Sequence, residues 1–208
     1  MKNSKKILIT IDGPSGVGKT TIGKALSKKL NASFFSSGAL YRALSKHVSN
    51  FGLLSIKDIE IIRTDPFICQ INQIEYLEKD LYTKEINDKS SELAQMYEVR
   101  LIVSNVLKQL YNSSVKGLVV EGRDMGSVVF PDANLKIYLQ ANDDVRSERR
   151  LVQSNNQETI EEIKKRDNRD STRTHSPLIV PEGALIINND SLPIDQVVKK
   201  IIMNLKPQ

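Results

Sequence analysis

Apolar residues along this chain fall into two alternating spacings, short unbroken runs and stripes at every third or fourth position, which predict strands and helices in turn. Ile7, Leu8, Ile9 and Ile11, interrupted only by Thr10, make the first run and predict a strand buried on both faces. Thr21 to Leu30 follows with helical spacing. Ala32-Ser33-Phe34-Phe35 reads as a second short strand ending in Ser36-Ser37-Gly38, where glycine permits a sharp turn; a helix starts near Ala39 with Leu40, Leu44 and Val48 on one face. Residues 56–63 read as another helix. The period then changes: 67–71 and 74–77 predict short strands on either side of the turn-like pair Asn72-Gln73. Asn87 to Tyr111 returns to helical spacing through Leu93, Met96, Val99, Val103 and Leu107. Residues 117–121 form a continuous apolar strand ending in an acid, 135–139 another, and 184–187 the last. Asn142-Asp143-Asp144 caps a helix carrying Arg146, Arg149 and Arg150, and a second charged helix covers about Ile160 to Arg173. Leu192 to Leu205 predicts a final helix with Val197, Val198, Ile201 and Ile202 turned inward.

Strands starting near residues 7, 33, 118, 135 and 184, with helices between them, predict an α/β fold of five parallel strands wound on both faces. The short strands near 67–86 are an antiparallel excursion from that sheet. Ligands of such sheets sit at the carboxyl ends of the strands. Residues 13–20, Ser36-Ser37-Gly38 and Glu121-Gly122-Arg123-Asp124 are therefore expected around one cleft.

The first of these loops carries the most specific chemistry. Gly13-Pro14-Ser15-Gly16-Val17-Gly18-Lys19-Thr20, followed by Thr21, fits the phosphate-binding pattern G-x-x-x-x-G-K-[ST] between a buried strand and a helix. Glycines let backbone N–H groups turn inward around a polyphosphate, and the positive end of the helix dipole points at the same place. Lys19 is expected to reach the β- and γ-phosphates of ATP, and the Thr20 hydroxyl to ligate the accompanying Mg²⁺.

Composition narrows the partners. The 208 residues suffice for one α/β domain with small inserts, and no apolar run approaches the ~18 residues a membrane span needs. Met1 to Lys6 is basic but leads into the first strand and not into a signal-peptide core, so a cytoplasmic protein is expected, with no membrane contact. The single cysteine, Cys69, excludes an intramolecular disulfide and a Cys-based metal cluster, and is expected in the core. The net charge of +5 permits nucleic acid or small phosphates as partners. Basic residues are mixed with acids, as in Glu161-Glu162-Ile163-Lys164-Lys165-Arg166-Asp167, without Trp or a basic tail, which favours small phosphates over nucleic acid.

Arginines separate the chemistries that share such a loop. Arg42 lies just past the second strand, Arg123 past the third, and Arg166, Arg169 and Arg173 follow helical spacing. Several guanidiniums in one site suit an acceptor that is itself a phosphate. A GTPase would show an N-K-x-D strand end, which is absent. Read with IDGPSGVGKTT at 11–21, SGALYRALS at 37–45, EGRDMGSVVFPDA at 121–133, KIYLQA at 136–141 and KKRDNRDSTR at 164–173, the chain resembles the bacterial cytidylate kinases over nearly its whole length. GRDMGSVVFPDA is the most specific block.

That resemblance implies a three-layer P-loop kinase fold of one domain, with a core of about 1–63 and 88–208, a small nucleoside-monophosphate-binding insert at about 64–87 and a helical lid at about 145–173. It implies an enzyme that uses ATP and Mg²⁺ to phosphorylate CMP or dCMP, with UMP a weak acceptor, and that acts as a monomer. Ser91, Arg100 and Asp124 match the family's cytosine readers, and Ser37 a further nucleotide contact. Arg42, Arg123 and Arg166 match the clamp on the acceptor phosphate. Asp170 and Arg173 match the pair on the ribose hydroxyls, an intrahelical salt bridge being the alternative for them. Arg149 or Arg169 is a candidate for the transferring phosphoryl group, and Glu121, where the family usually has Asp, for a water-mediated contact to Mg²⁺. Ser36 stands where the family normally has Asp, which predicts a weaker loop contact near the acceptor; the insert and the segment Ser154-Asn155-Asn156 are short. His47 and His175 have no partner at metal spacing and read as surface or helix residues. Rival readings are a kinase for another small acceptor, such as shikimate, and a regulatory or nucleic-acid-binding ATPase.

Overall fold

The computed structural model describes residues 6–153 and 159–205. The first elements are β1 (Ile7–Asp12), α1 (Lys19–Leu30), β2 (Ser33–Ser36) and α2 (Ser37–Phe51). Three strands follow, β3 (Ile59–Thr64), β4 (Phe67–Ile71) and β5 (Ile74–Leu77), and then two helices, α3 (Lys84–Leu93) and α4 (Tyr97–Ser113). The chain continues through β6 (Gly117–Gly122), a single π-helical turn (Met125–Val129), β7 (Leu135–Gln140), α5 (Asp143–Gln153), α6 (Ile160–Thr172), β8 (Leu185–Asn188) and α7 (Ile194–Met203). Five strands form one parallel sheet in the order β2–β6–β1–β7–β8, as the spacing predicts.

Strand parity explains why the core strands read as unbroken apolar runs. Leu8, Phe35, Leu118 and Val120 face one side of the sheet, where they join α2 and α4 through Leu40, Leu44, Val103 and Leu107. Their neighbours Ile9, Ile11, Phe34 and Val119 face the other side, where α1 and α7 supply Ile22, Leu26, Val197 and Ile201. Both faces are covered, so most positions are apolar; buried polar side chains such as Thr10, Asp12 and Glu121 are the exceptions. Each such side chain removed from water contributes about 1.5–3 kcal/mol.

Two departures from the predicted elements are informative. Residues 59–64 form a strand, not the end of a helix: β3, β4 and β5 make an antiparallel three-stranded sheet with Ile59 opposite Ile71 and Cys69 opposite Tyr76. Ile59 and Ile61 turn toward the core while Glu60 and Ile62 are exposed, so pairing with β4 overrides the helical spacing of the isoleucines. The expected single helix from 87 to 111 is two helices, broken at Ala94–Met96. Its apolar spacing runs through the break because α3 and α4 bury residues in the same core. Cys69 is fully buried, as expected. His47 is in α2 but is buried, not exposed, with Nδ1 2.8 Å from the Tyr76 hydroxyl and Nε2 3.0 Å from Ser55 Oγ. His175 is exposed beside the Tyr97 ring. Among the described residues no helix is long and apolar enough to cross a membrane. Ser154, Asn155 and Asn156 lie outside the described residues.

Candidate active site

The glycine loop joins the carboxyl end of β1 to α1 at the middle of the sheet. Gly13 has φ 149°, and a Cβ there would lie 2.2 Å from the Leu139 carbonyl oxygen; at Gly16, with φ 75°, it would lie 2.2 Å from that of Arg146. Only glycine fits between the end of β7 and the start of α5 in these backbone conformations. Gly13, Pro14 and Val17 do not line the cleft and shape the loop from behind, whereas Ser15, Gly16, Gly18, Lys19, Thr20 and Thr21 line it. Lys19 is buried, and its Nζ donates to the Pro14 carbonyl at 2.7 Å. Burial pushes the Lys19 ammonium down to about 7, with Arg123 acting in the same direction and Glu121 and Asp167 opposing. A polyphosphate would supply the negative charge this group lacks.

Glu121, at the end of β6, connects two loops. Its Oε1 accepts from Thr20 Oγ1 at 2.9 Å and from Ser36 Oγ at 2.7 Å. Ser36 thus holds the carboxylate that stands beside the Thr20 hydroxyl.

The other end of the cleft holds a buried network of charges. Arg100 donates Nη2 to Asp124 and Nη1 to the Ala94 carbonyl at 2.8 Å, a carbonyl made available by the break between α3 and α4. Arg173 lies 3.9 Å from the other Asp124 oxygen and 3.7 Å from Asp170, so the intrahelical pair forms. Asp170 also accepts from Arg123 Nε at 2.8 Å, which ties α6 to the loop after β6. Burial alone would raise the Asp170 carboxyl, but Arg123, Arg166 and Arg173 overcome it and hold it low. Ser91 Oγ is buried and has no hydrogen-bond partner among the described residues, and Ser37 is buried at the start of α2. Arg42 Nη2 donates to the Tyr82 hydroxyl at 2.9 Å, and its guanidinium lies 4.3 Å from that ring's centroid.

Helices α5 and α6 cover the loop. Arg146 Nη1 donates to the Ser15 carbonyl at 2.9 Å and to the Asp167 carboxylate, whose other oxygen accepts the Ser15 amide at 3.0 Å. The backbone of one loop residue is thereby gripped through both its N–H and its C=O. Arg149 lines the cleft and donates to the Asn189 and Asp190 carbonyls, each at 2.8 Å. Burial, with the Arg123 guanidinium nearby, lowers Arg166 to about 10, which marks a concentration of positive charge. Arg169 is not among the residues that line the cleft.

A single cleft of about 390 Å³ therefore joins the glycine loop to Ser37, Arg42, Ser91, Arg100, Arg123, Asp124, Arg166, Asp170 and Arg173. The sequence reading missed four of its features. Tyr41 and Tyr82 line the cleft, and Asp12 and Asp167 hold its loops from outside. Asp12 sits beside the motif and Asp167 beside Arg166, but nothing in their spacing shows what their carboxylates accept.

The cytidylate kinase family model matches residues 9–207. A cytidylate kinase of Chlamydia felis (strain Fe/C-56) is 39% identical over 218 aligned residues, covering 97% of this chain and 99% of its own. One from Chlamydia caviae is 41% identical over 217 residues with the same coverage. Among solved structures, a gluconokinase from Sinorhizobium meliloti 1021 aligns with a TM-score of 0.56 at 12% identity, over 96% of this chain and 91% of its own. A shikimate kinase from Acinetobacter baumannii in complex with shikimate aligns with a TM-score of 0.54 at 14% identity, over 96% and 92%. These structures share the P-loop kinase fold. The match in sequence spans nearly every element that builds the cleft, and this chain belongs to the cytidylate kinase family.

Proposed function

We propose that the chain transfers the γ-phosphoryl group of ATP to CMP or dCMP, yielding ADP and CDP or dCDP, with UMP a weaker acceptor. The observation that carries this reading is the continuity of one cleft from the glycine loop, past several arginines, to the buried Arg100–Asp124–Arg173 network. Cytosine offers an amino donor beside two ring acceptors. Asp124 would accept from the amino group while Arg100 donates to the ring, and the unpartnered Ser91 hydroxyl lies within the same wall. Uracil would turn a carbonyl toward the Asp124 carboxylate and lose that bond. Asp170 and Arg173 would hold the ribose hydroxyls.

Arg42, Arg123 and Arg166 would grip the acceptor phosphate, and Lys19 and Arg149 would meet the β- and γ-phosphates. Thr20 and Glu121 would hold Mg²⁺, directly or through water. Hydroxyl and carboxylate oxygens are the hard donors this ion takes, and it needs only one or two from protein beside phosphates and waters. When bound it neutralises charge on the transferring phosphates. The 5′-phosphate oxygen attacks the γ-phosphorus in line, so the protein's work is positioning and charge neutralisation. The β3–β5 sheet and the α5–α6 lid would close over the substrates, since an open site would lose ATP to hydrolysis. The protein would work as a cytoplasmic monomer.

The test is ADP release from Mg-ATP with CMP, dCMP, UMP, AMP, GMP and shikimate offered singly. Strong stimulation by CMP and dCMP alone supports the reading. Stimulation by a purine nucleotide, by shikimate or by UMP that equals that by CMP discards the assignment of the cytosine readers, and indifference to every acceptor discards the transfer reaction.

A further inference from the structure

Asp12 is the last residue of β1, adjoins Gly13 and is fully buried, yet the mechanism above gives it no task. Its two carboxylate oxygens accept the backbone amides of Met125, at 2.8 Å, and Gly126, at 2.7 Å. These are the first two amides of the π-helical turn that follows Asp124. Inside the turn, the amides of Val128 and Val129 reach the Asp124 carbonyl and that of Phe130 reaches Met125. The first two amides have no carbonyl behind them, as at any helix start. The usual remedy is the side chain of the capping residue itself, and Asp is among the best. Here the capping residue is Asp124, and its side chain makes no cap bond. Its carboxylate is instead turned to Arg100 and Arg173. The turn also packs directly on β1: a Cβ on Gly126 would lie 2.7 Å from Thr10 Oγ1, so water has little room to replace the Asp12 oxygens.

We propose that Asp12 is a positioning residue for acceptor recognition, capping the Met125–Val129 turn in place of Asp124 and so leaving the Asp124 carboxylate free to face the cleft. Because Asp12 directly precedes the glycine loop, the same carboxylate fixes the acceptor-reading loop relative to the ATP-binding one. The proposal rests on the reading of Asp124 as the contact to the base.

The experiment is steady-state kinetics of Asp12→Asn with CMP and with AMP, together with direct measurement of ATP affinity. An amide side chain matches the shape but can accept only one of the two N–H groups. Charge-assisted hydrogen bonds are the strong ones, so kcat/KM for CMP should fall about 10- to 100-fold, mainly through KM, and CMP-to-AMP discrimination should narrow about tenfold. ATP affinity should change by less than about threefold. In the Asp124→Ala background, Asp12→Asn should leave discrimination where that variant already has it, because the two act as one unit. Unaltered discrimination in Asp12→Asn, when Asp124→Ala does abolish it, overturns the proposal and leaves Asp12 a purely structural residue. Unaltered discrimination in Asp124→Ala itself overturns the base-reading assignment, and this proposal with it. Should Asp12→Asn fail to fold, hydrogen exchange in the unsubstituted protein carries the test. Exchange at Met125 and Gly126 that slows when CMP binds supports the proposal, and exchange indifferent to CMP overturns it.

Discussion

At the scale of single residues, the site is built from groups held away from their ordinary state. The buried Lys19 ammonium donates to the Pro14 carbonyl, and burial brings its pKa to about 7. Lys19→Ala should abolish turnover while the circular-dichroism melt stays close to that of the unsubstituted protein; unchanged kcat would remove Lys19 from the reaction. Arg42 is buried and stacks on the half-exposed Tyr82 ring, a contact of the kind worth about 0.5–2 kcal/mol. Tyr82→Ala should raise KM for CMP by roughly 3- to 10-fold with ATP affinity unaffected, since the loss is confined to Arg42, one of the arginines proposed to grip the acceptor phosphate. Cys69 gives a pH prediction with a definite sign. Burial raises its thiol from 9.0 to about 12, so across that window the unfolded chain releases a proton the native one keeps. Stability should therefore fall as pH rises from about 9 toward about 12, and Cys69→Ala should flatten that part of the urea-denaturation profile. An identical slope in both proteins would refute the assignment.

At the scale of elements, what matters is how helices and strands reach across to the glycine loop. Helices α5 and α6 hold the Ser15 backbone N–H and C=O through Asp167 and Arg146, and α5 lies so close that Gly16 admits no side chain. Asp167→Asn keeps the shape but gives up the charge-assisted part of that grip. The covering helices should then dock less tightly, and the ratio of ATP hydrolysed to CMP phosphorylated should rise several-fold while kcat falls. A rise would appear as ADP formed in excess of CDP; an unchanged ratio would mean that the grip only stabilises the fold. By contrast, the exposed ion pairs Lys84–Glu162 and Lys24–Asp65 link separate elements but should contribute little to stability, because solvent screens them.

At the scale of the whole molecule, the described lining of the cleft carries more basic than acidic side chains. Burial and neighbouring guanidiniums hold Arg166 at about 10 and push Arg42 below its usual range. A polyanion binding there relieves repulsion in the native state and has no counterpart in the unfolded chain. At a hundred times its dissociation constant, a ligand adds about 2.7 kcal/mol. That is about 5–10 °C in Tm for a chain of this size. CMP with a non-hydrolysable ATP analogue should raise Tm by about that much or more, and inorganic phosphate by less. An unshifted melt with both nucleotides at saturation would show that the cleft does not bind them.

Much of this was legible in the sequence. The glycine loop, the parallel sheet and the burial of Cys69 follow from residue type and local spacing, whereas the residues proposed for the base contacts come from the resemblance to the family. A loop such as Gly13–Thr20 has few conformations open to it, and strands covered on both faces are largely apolar, so neither needed distant partners to be read. The β3 strand was read as helix because Ile56, Ile59 and Ile62 also fit helical spacing, and only pairing with β4 decides between the periods. The break between α3 and α4 carries no proline or glycine, and Arg100, filling the Ala94 carbonyl from within α4, makes it a feature of the site. The contacts of Asp12 with Met125 and Gly126, of Asp167 with Ser15, of Ser36 with Glu121 and of Tyr82 with Arg42 join residues between 40 and 152 positions apart. Sequence by itself determined which chemistry the chain can carry, because donors, acceptors and glycines are fixed by residue identity. Tertiary structure alone decided which carboxylate faces the cleft and which one caps a turn, because that choice depends on orphaned amides and guanidiniums that meet only in the folded protein.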